Sequence, residues 1–148
     1  MAGLPFAVVG GVAAIAHGAA TSTKDLDIAM PMTRDNLEQL LSCMAPFRPR
    51  HAMRHDLGLL DGRAEELARF RLLLIDSDLG RLDVLRNIEP IGGYEALETV
   101  EMELLEGRVF KVISLDQLIT VKAHLGRRKD LIVAQELRAI RDLRRCVK

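Results

Sequence analysis

The most constraining feature of this sequence is a pair of glycines that directly follows a short apolar run. Residues 5–9 are apolar and rich in residues that favour β-strands, and the run ends at Gly10-Gly11. Residues 12–17 are small, apolar and favourable for a helix, which Gly18 is suited to terminate. The order of a strand, a glycine turn and a helix predicts an α/β fold in which bare backbone opens a helix.

A half-buried strand is predicted soon afterwards, because polar and apolar residues alternate from Asp25 to Met30. Side chains two residues apart on a strand point to the same side, so Asp25 and Asp27 share one face, opposite the apolar residues. The sequence therefore predicts a pair of carboxylates on one surface of a sheet, shortly after the glycine turn.

Turn and helix signals divide the rest of the chain into further elements. Segment 46–63 has prolines, glycines and charged residues without a clear period, and we expect it to be irregular, either a lid or a loop. The remaining pattern predicts a helix from the Thr33 cap to Pro46, β-hairpins 69–75 with 81–88 and 99–105 with 108–113, and helices 115–124 and 129–145.

Length and composition fit a single globular domain. The chain has 148 residues, of which 49% are hydrophobic, and its net charge is zero. We expect one domain over residues 1–148, with a sheet-containing core over 1–113 and C-terminal helices over 114–148. No apolar run approaches the roughly 20 residues of a membrane span, and the first residues lack the pattern of a secretory signal. We therefore expect a cytoplasmic protein without membrane contact.

Charge is distributed unevenly along the chain. The segment from Lys122 to Lys148 contains nine basic and three acidic residues. Such a segment can attract a polyanion, but a helix with a solvated basic face produces the same pattern. The chain has no Trp, one Tyr and four Phe, so it offers no aromatic platform on which single-stranded bases would stack.

The glycine pair and the aspartate pair together indicate a site for phosphate and metal. Without side chains, Gly10 and Gly11 let a phosphate approach the backbone and the free N–H groups of the next helix. The mutual repulsion of Asp25 and Asp27 would be relieved by a hard divalent cation such as Mg²⁺. Each pair alone has an ordinary explanation, a tight turn or solvent-facing acids. Their combination favours a metal ion between carboxylates and phosphates.

A transfer of phosphoryl or nucleotidyl groups by two metal ions usually needs one more carboxylate from an adjacent strand. Asp83 is the candidate, because it is an acid flanked by apolar residues within a predicted strand. An ion pair with Arg81 or Arg86 explains this residue equally well.

These motifs resemble those of a known family, the DNA polymerase β-like nucleotidyltransferase superfamily. The likeness is to its small prokaryotic branch, which includes minimal nucleotidyltransferases and AbiEii-type toxins. Many relatives have an arginine where this chain has Thr21, so a phosphate clamp would have to come from Lys24 or elsewhere. The resemblance spans residues 5–131 and is carried by Gly10-Gly11-Val12-Ala13, His17-Gly18, Thr23-Lys24-Asp25-Leu26-Asp27-Ile28, residues 113–119, Lys122 and residues 127–131.

The resemblance implies a nucleotidyltransferase fold, a mixed β-sheet with helices packed on it. It implies that Asp25 and Asp27 bind Mg²⁺, with two ions expected, and that Asp83 is the third catalytic and metal-binding acid. The basic residues of the C-terminal helices would neutralise substrate phosphates, although a solvated helix face explains them as well. The implied nucleotide site comprises Gly10, Gly11, Thr23, Lys24, Lys122 and Lys129, together with Arg127.

We therefore predict a Mg²⁺-dependent nucleotidyltransferase that moves a nucleoside monophosphate from a nucleoside triphosphate to an acceptor hydroxyl and releases pyrophosphate. The acceptor stays open among a protein side chain, a tRNA end and a small molecule. The alternative hypothesis is a catalytically degenerate module of the same fold in a toxin–antitoxin type pair, and a metal-dependent phosphohydrolase would use similar carboxylates. A chain this compact suggests that a homodimer or a partner protein completes the substrate site.

Overall fold

The structure, a computed structural model, describes residues 3–58 and 64–147, which form ten β-strands and five α-helices. The strands are β1 (Ala7–Val9), β2 (Asp25–Ala29), β3 (Arg50–His51), β4 (Arg54–Gly58), β5 (Leu72–Ser77), β6 (Gly80–Leu85), β7 (Asn87–Ile88), β8 (Gly92–Gly93), β9 (Thr99–Leu105) and β10 (Arg108–Ile113). The helices are α1 (Gly10–Ala16), α2 (Arg34–Met44), α3 (Ala64–Leu67), α4 (Leu115–Leu125) and α5 (Arg128–Cys146).

Eight of the strands form one mixed sheet, and β7 pairs with β8 in a separate two-stranded sheet. The order across the large sheet is β4-β3-β5-β6-β2-β1-β10-β9. The pairings of β1 with β10 and of β2 with β6 are parallel, whereas the other neighbours are antiparallel. The parallel pairing of β2 and β6 requires a long crossover, which α2, β3, β4, α3 and β5 supply.

The sheet separates two apolar clusters, because apolar side chains of β2 face both sides. Ile28 is fully buried in a cluster that contains Leu37 of α2. The next residue, Ala29, is also fully buried but belongs to a second cluster with Leu118 of α4 and Leu137 of α5. The C-terminal helices therefore cover the face of the sheet opposite α2. This is the face on which odd-numbered residues of β2 lie.

Local capping chemistry sets where the C-terminal helices begin and end. Ser114 follows β10 directly, and its Oγ accepts a hydrogen bond of 3.3 Å from the Gln117 N–H at the start of α4. Gly126 ends α4 in the left-handed conformation, with φ of +71°. Only Gly126 and Arg127 separate α4 from α5, so the start of α5 is brought next to the last turns of α4.

Most predicted elements are confirmed. The second hairpin and the starts of α2 and α4 lie where the sequence places them. Segment 46–63 differs, because residues 50–51 and 54–58 form β3 and β4 at the edge of the sheet. All but the last residue of β4 are exposed, so burial imposes no alternation of polar and apolar residues there. Residues 59–63 of that segment lie outside the described residues.

The fold class, a mixed β-sheet with packed helices and two helices at the C-terminus, is confirmed. Helix α1 begins at Gly10, so the glycine pair forms its first two residues rather than a turn that precedes it. In the described part of the chain, no helix combines the length and the apolar character needed to cross a lipid bilayer.

The alternation in β2 generates a stability prediction. Ile28→Ala removes a fully buried side chain and should lower the free energy of unfolding by about 3 kcal/mol. Leu26→Ala, on the same strand but 37% exposed, should lower it by less than about 1 kcal/mol. Urea unfolding followed by circular dichroism measures both values. Equal losses would contradict the assignment of the two faces.

Candidate active site

The acids predicted from the sequence meet on one face of the sheet because β2 and β6 run parallel. The register pairs Asp27 with Asp83 and Asp25 with Arg81. Paired residues of neighbouring strands point to the same face, so Asp27 and Asp83 lie side by side. The next odd-numbered pair along these strands is apolar and belongs to the core. The two like charges therefore stand at the border between the apolar core and the solvent.

The pKa of the Asp27 carboxyl rises from its ordinary value of 3.8 to about 6. Burial is the largest cause, followed by the negative charges of Asp83 and Asp25 and by a hydrogen bond with Asp83. The positive charge of Lys122 acts in the opposite direction. Because the repulsion outweighs the attraction to Lys122, the charge of Asp27 is not balanced by a neighbouring base.

The glycine pair brings α1 into close contact with the acids. Gly10 has a φ of +66°, in the left-handed region that favours glycine, and a Cβ there would lie 2.9 Å from Asp27 Cγ. A Cβ at Gly11 would lie 2.9 Å from the Cβ of Thr23. Helix α1 is short, with seven residues. The two glycines at its start allow the side chains of Asp27 and Thr23 to pack directly against its backbone.

A cavity of about 300 Å³ opens beside these residues, and we call it the polar cavity. Its basic side chains come from α4, from the connection between α4 and α5, and from the first turn of α5. The short connection places that turn over the sheet. The lining consists of Asp25, Asp27, Asp83 and Asp130, of Lys122, Arg127 and Lys129, and of Gly11, Ala14, Thr21, Ser22, Thr23 and Val133.

The polar cavity brings together all the site residues predicted from the sequence except two. Gly10 lies behind Asp27 and borders a neighbouring cavity instead. Lys24 is exposed and does not line the polar cavity. The basic side chains of the polar cavity therefore come from the C-terminal helical segment rather than from Lys24, the residue next to Asp25.

Asp130 is a site residue that the sequence reasoning did not single out. Its side chain is only 2% exposed, and it accepts hydrogen bonds of 2.6 and 3.4 Å from Arg127 while lying 3.6 Å from Lys122 Nζ. Burial alone would raise the pKa of Asp130, but the hydrogen bond and charge of Arg127 and the charges of Lys122 and Lys129 lower it below its ordinary value. A single acid directly after the basic run 127–129 was the available signal.

Arg81 forms the ion pair with Asp83 that the alternative explanation of this acid predicted. The Arg81 Nε donates a hydrogen bond of 2.6 Å to Asp83 Oδ1. The Asp83 side chain is 17% exposed, and it still lines the polar cavity. The ion pair and the position beside Asp27 thus coexist, with Arg81 holding one carboxylate oxygen of Asp83.

The donor chemistry of this face suits Mg²⁺, which prefers carboxylate oxygens. The repulsion between Asp27 and Asp83 is the observation that favours a cation, since a bound cation would relieve it. Within residues 3–58 and 64–147, no group of three or more His, Cys, Asp or Glu side chains is gathered as a metal site. The arrangement fits an ion held between Asp27 and Asp83, with Asp25 two residues earlier on β2.

Comparison with solved structures finds a chain of similar fold. The fold is similar to that of the lincosamide antibiotic adenylyltransferase LnuA, whose structure was solved with lincomycin bound. The TM-score is 0.56 and the sequence identity 14%, over 92% of this chain and 87% of that chain. No protein-family model and no curated protein matches the sequence. At this identity the likeness shows the fold alone, so the nucleotidyltransferase superfamily and its small prokaryotic branch both stay predictions.

The electrostatics of Asp27 predict a pH-dependent effect on stability. Because its pKa is about 6 in the folded protein and ordinarily 3.8, the proton on Asp27 stabilises the fold fully below about pH 4, and this contribution is lost as the pH rises through 6. In EDTA at pH 8, Asp27→Asn should therefore raise the free energy of unfolding by about 1 kcal/mol, after discounting for partial exposure.

Urea unfolding at pH 8 and pH 4 measures this effect. At pH 4 the difference between Asp27→Asn and the parent protein should disappear. Glu101→Gln, which removes an exposed acid on β9, is the matched control and should show no such dependence. A variant that is less stable than the parent at pH 8 in EDTA would refute the charge imbalance at Asp27.

Proposed function

We propose that this protein is a Mg²⁺-dependent nucleotidyltransferase that transfers a nucleoside monophosphate from a nucleoside triphosphate to an acceptor hydroxyl. The observation that carries the proposal is the pairing of Asp27 with Asp83 across parallel strands, at the edge of a cavity that also holds Lys122 and Lys129. Acids and bases in one cavity match the two needs of the reaction, a cation site and neutralisation of phosphate charge.

The acids of β2 and β6 would hold the metal. Asp27 and Asp83 would bind Mg²⁺ between them, and Asp25, which lines the same cavity, would add its negative charge nearby. When bound, Mg²⁺ supplies Lewis-acid polarisation of phosphate oxygens and lowers the pKa of a coordinated hydroxyl. Arg81 would keep the Asp83 carboxylate in one orientation, since its Nε donates a hydrogen bond to Oδ1.

The reaction would need little covalent participation by the protein. The acceptor oxygen attacks the α-phosphorus, a new P–O bond forms, and the bond to the bridging oxygen breaks so that pyrophosphate leaves with its electron pair. The proton of the acceptor hydroxyl would pass to the Asp83 carboxylate and then to solvent. Positioning of the two substrates and neutralisation of charge would supply most of the acceleration.

The C-terminal segment would bind the triphosphate. Lys122 and Arg127 are held at the cavity by the buried carboxylate of Asp130, so their positive charges are fixed before the substrate arrives. Lys129 also lines the cavity and has no ion-pair partner among the described residues. The absence of a side chain at Gly11 lets Thr23 pack closely against α1, and both residues line the cavity.

Replacing the paired acids tests the proposal directly. Asp27→Asn and Asp83→Asn should each reduce the Mg²⁺-dependent release of pyrophosphate at least about 100-fold, because each removes charge from the cation site. The assay supplies the four nucleoside triphosphates, with a cell extract as the source of acceptors. Glu101→Gln should retain full activity, and circular dichroism verifies that each variant is folded.

Calorimetric titration separates this proposal from the alternative, a catalytically degenerate module in a toxin–antitoxin type pair. The enzyme should bind a non-hydrolysable triphosphate in Mg²⁺ and lose that binding in EDTA. A degenerate module should show no metal-dependent binding. A phosphohydrolase would release phosphate without an acceptor, so product analysis would distinguish it from a transferase.

The lysines make a further prediction. Lys129→Ala should weaken binding of a non-hydrolysable triphosphate about tenfold, because it removes a cation that lines the polar cavity. Lys24→Ala removes an exposed lysine that does not line the cavity, and it should change the dissociation constant less than twofold. The reverse order would transfer the phosphate-binding role to Lys24.

A further inference from the structure

A second cavity, of about 440 Å³, meets the polar cavity at the paired acids. The two cavities share Asp27, Asp83, Lys122 and Arg127. Because both carboxylates border both cavities, a ligand in either cavity can contact them. We call this second space the apolar cavity, because more than half of its lining residues are Val, Leu or Ile.

In-line displacement at phosphorus explains why two cavities should meet at one acid pair. The attacking and leaving oxygens lie on opposite sides of the phosphorus, so the acceptor and the pyrophosphate must approach the acids from different directions. Lys129 lines only the polar cavity, which therefore suits the triphosphate. The apolar cavity remains for the acceptor.

The rim of the apolar cavity has exposed hydrophobic surface. Leu72 of β5 is 47% exposed and Leu125, the last residue of α4, is 46% exposed. Leu72 pairs with Leu85, which lies next to the acids on the same face. Apolar surface that extends from a charged pair to the outside of a protein is stabilised when an apolar ligand covers it.

The charges of the apolar cavity disfavour a polyanion. Among its lining residues, Lys122 and Arg127 are the only bases, and both are the residues already assigned to the triphosphate. Glu89 adds a negative charge beside those of Asp27 and Asp83. A tRNA end would require a row of free basic side chains along its backbone, which this lining does not offer.

We infer that the acceptor is a small amphipathic alcohol, whose apolar body lies in the apolar cavity and whose hydroxyl group points at Asp27 and Asp83. The inference rests on the proposed function and specifies its second substrate. The reaction joins the hydroxyl oxygen of that alcohol to the α-phosphorus, releases pyrophosphate and yields a nucleotidylated alcohol. Asn87, a polar residue in the same lining, is available to hydrogen-bond further hydroxyl groups.

Octyl β-D-glucoside, kept monomeric, is a suitable probe because it combines an apolar chain with hydroxyl groups. It should bind the protein in a calorimetric or saturation-transfer experiment, whereas glucose should not. The double variant L72Q/L125Q should weaken binding of the probe at least about tenfold. L143Q, an equivalent change at a leucine that is 64% exposed on α5, should leave binding unchanged.

The two substrates should also bind together. A non-hydrolysable triphosphate with Mg²⁺ should bind L72Q/L125Q with the affinity of the parent protein, and it should not displace octyl glucoside. Equal binding of the probe to the parent and L72Q/L125Q, or competition between probe and nucleotide, would overturn the assignment of the apolar cavity. Transfer of nucleotide label to tRNA or protein, and not to small alcohols, would overturn it as well.

Failure of the proposed function would have a different appearance. The parent protein would then bind octyl glucoside at the leucine rim but would not bind the triphosphate in Mg²⁺. That result would remove the reaction, and with it the acceptor role. Binding of the triphosphate without binding of octyl glucoside would leave the nucleotidyltransferase proposal in place and overturn the amphipathic acceptor alone.

Discussion

The parallel pairing of β2 with β6 is the constraint on which the rest of the site depends. Antiparallel hairpins form readily from neighbouring segments, but a parallel pair of strands must be joined by a long crossover, and here the crossover occupies most of the chain between Asp27 and Asp83. A slip of one residue in this register would move Asp83 to the opposite face of the sheet. The apolar residues on either side of Asp83 are Leu82 and Val84. They prevent such a slip because both are buried in the apolar cluster that contains Leu37 of α2. The packing of the opposite face thus fixes the position of the acid.

The charged side chains of the site form two groups, one on the helices and one on the sheet. Their ion pairs lie within each group rather than between the groups. On the helical side, Asp130 takes up part of the positive charge of Lys122 and Arg127. On the sheet side, Arg81 is bound to Asp83, and Asp27 has no comparable ion-pair partner among the described residues. If Lys122 or Arg127 paired with Asp27 instead, the cavity would be electrostatically satisfied by its own side chains. The buried carboxylate of Asp130 therefore preserves both an anionic surface for a cation and a cationic surface for phosphate.

Much of the fold and part of the site can be predicted from the sequence, and the boundary has a physical basis. The period of two in β2, the caps at Thr33 and Ser114 and the turn at Gly126 are local signals, which act over a few residues. The meeting of Asp27 with Asp83 was predicted only by combining an acid within an apolar strand with a family resemblance, because register between distant strands leaves no mark on either segment. Asp130 was missed for a related reason. Its burial results from packing of α5 against α4, and its sequence context, three basic residues, resembles a solvated helix start.

Gly10 and Gly11 border different cavities although they are adjacent in the chain. Gly11 lines the polar cavity and Gly10 lines the apolar one, and each faces a side chain that a methyl group would displace. The two cavities therefore adjoin at this dipeptide, and neither glycine tolerates added bulk. During divergence of such a protein, this dipeptide would be the part least free to vary. Changes of ligand preference would instead accumulate at distant rim positions, where exposed leucines make little contribution to folding.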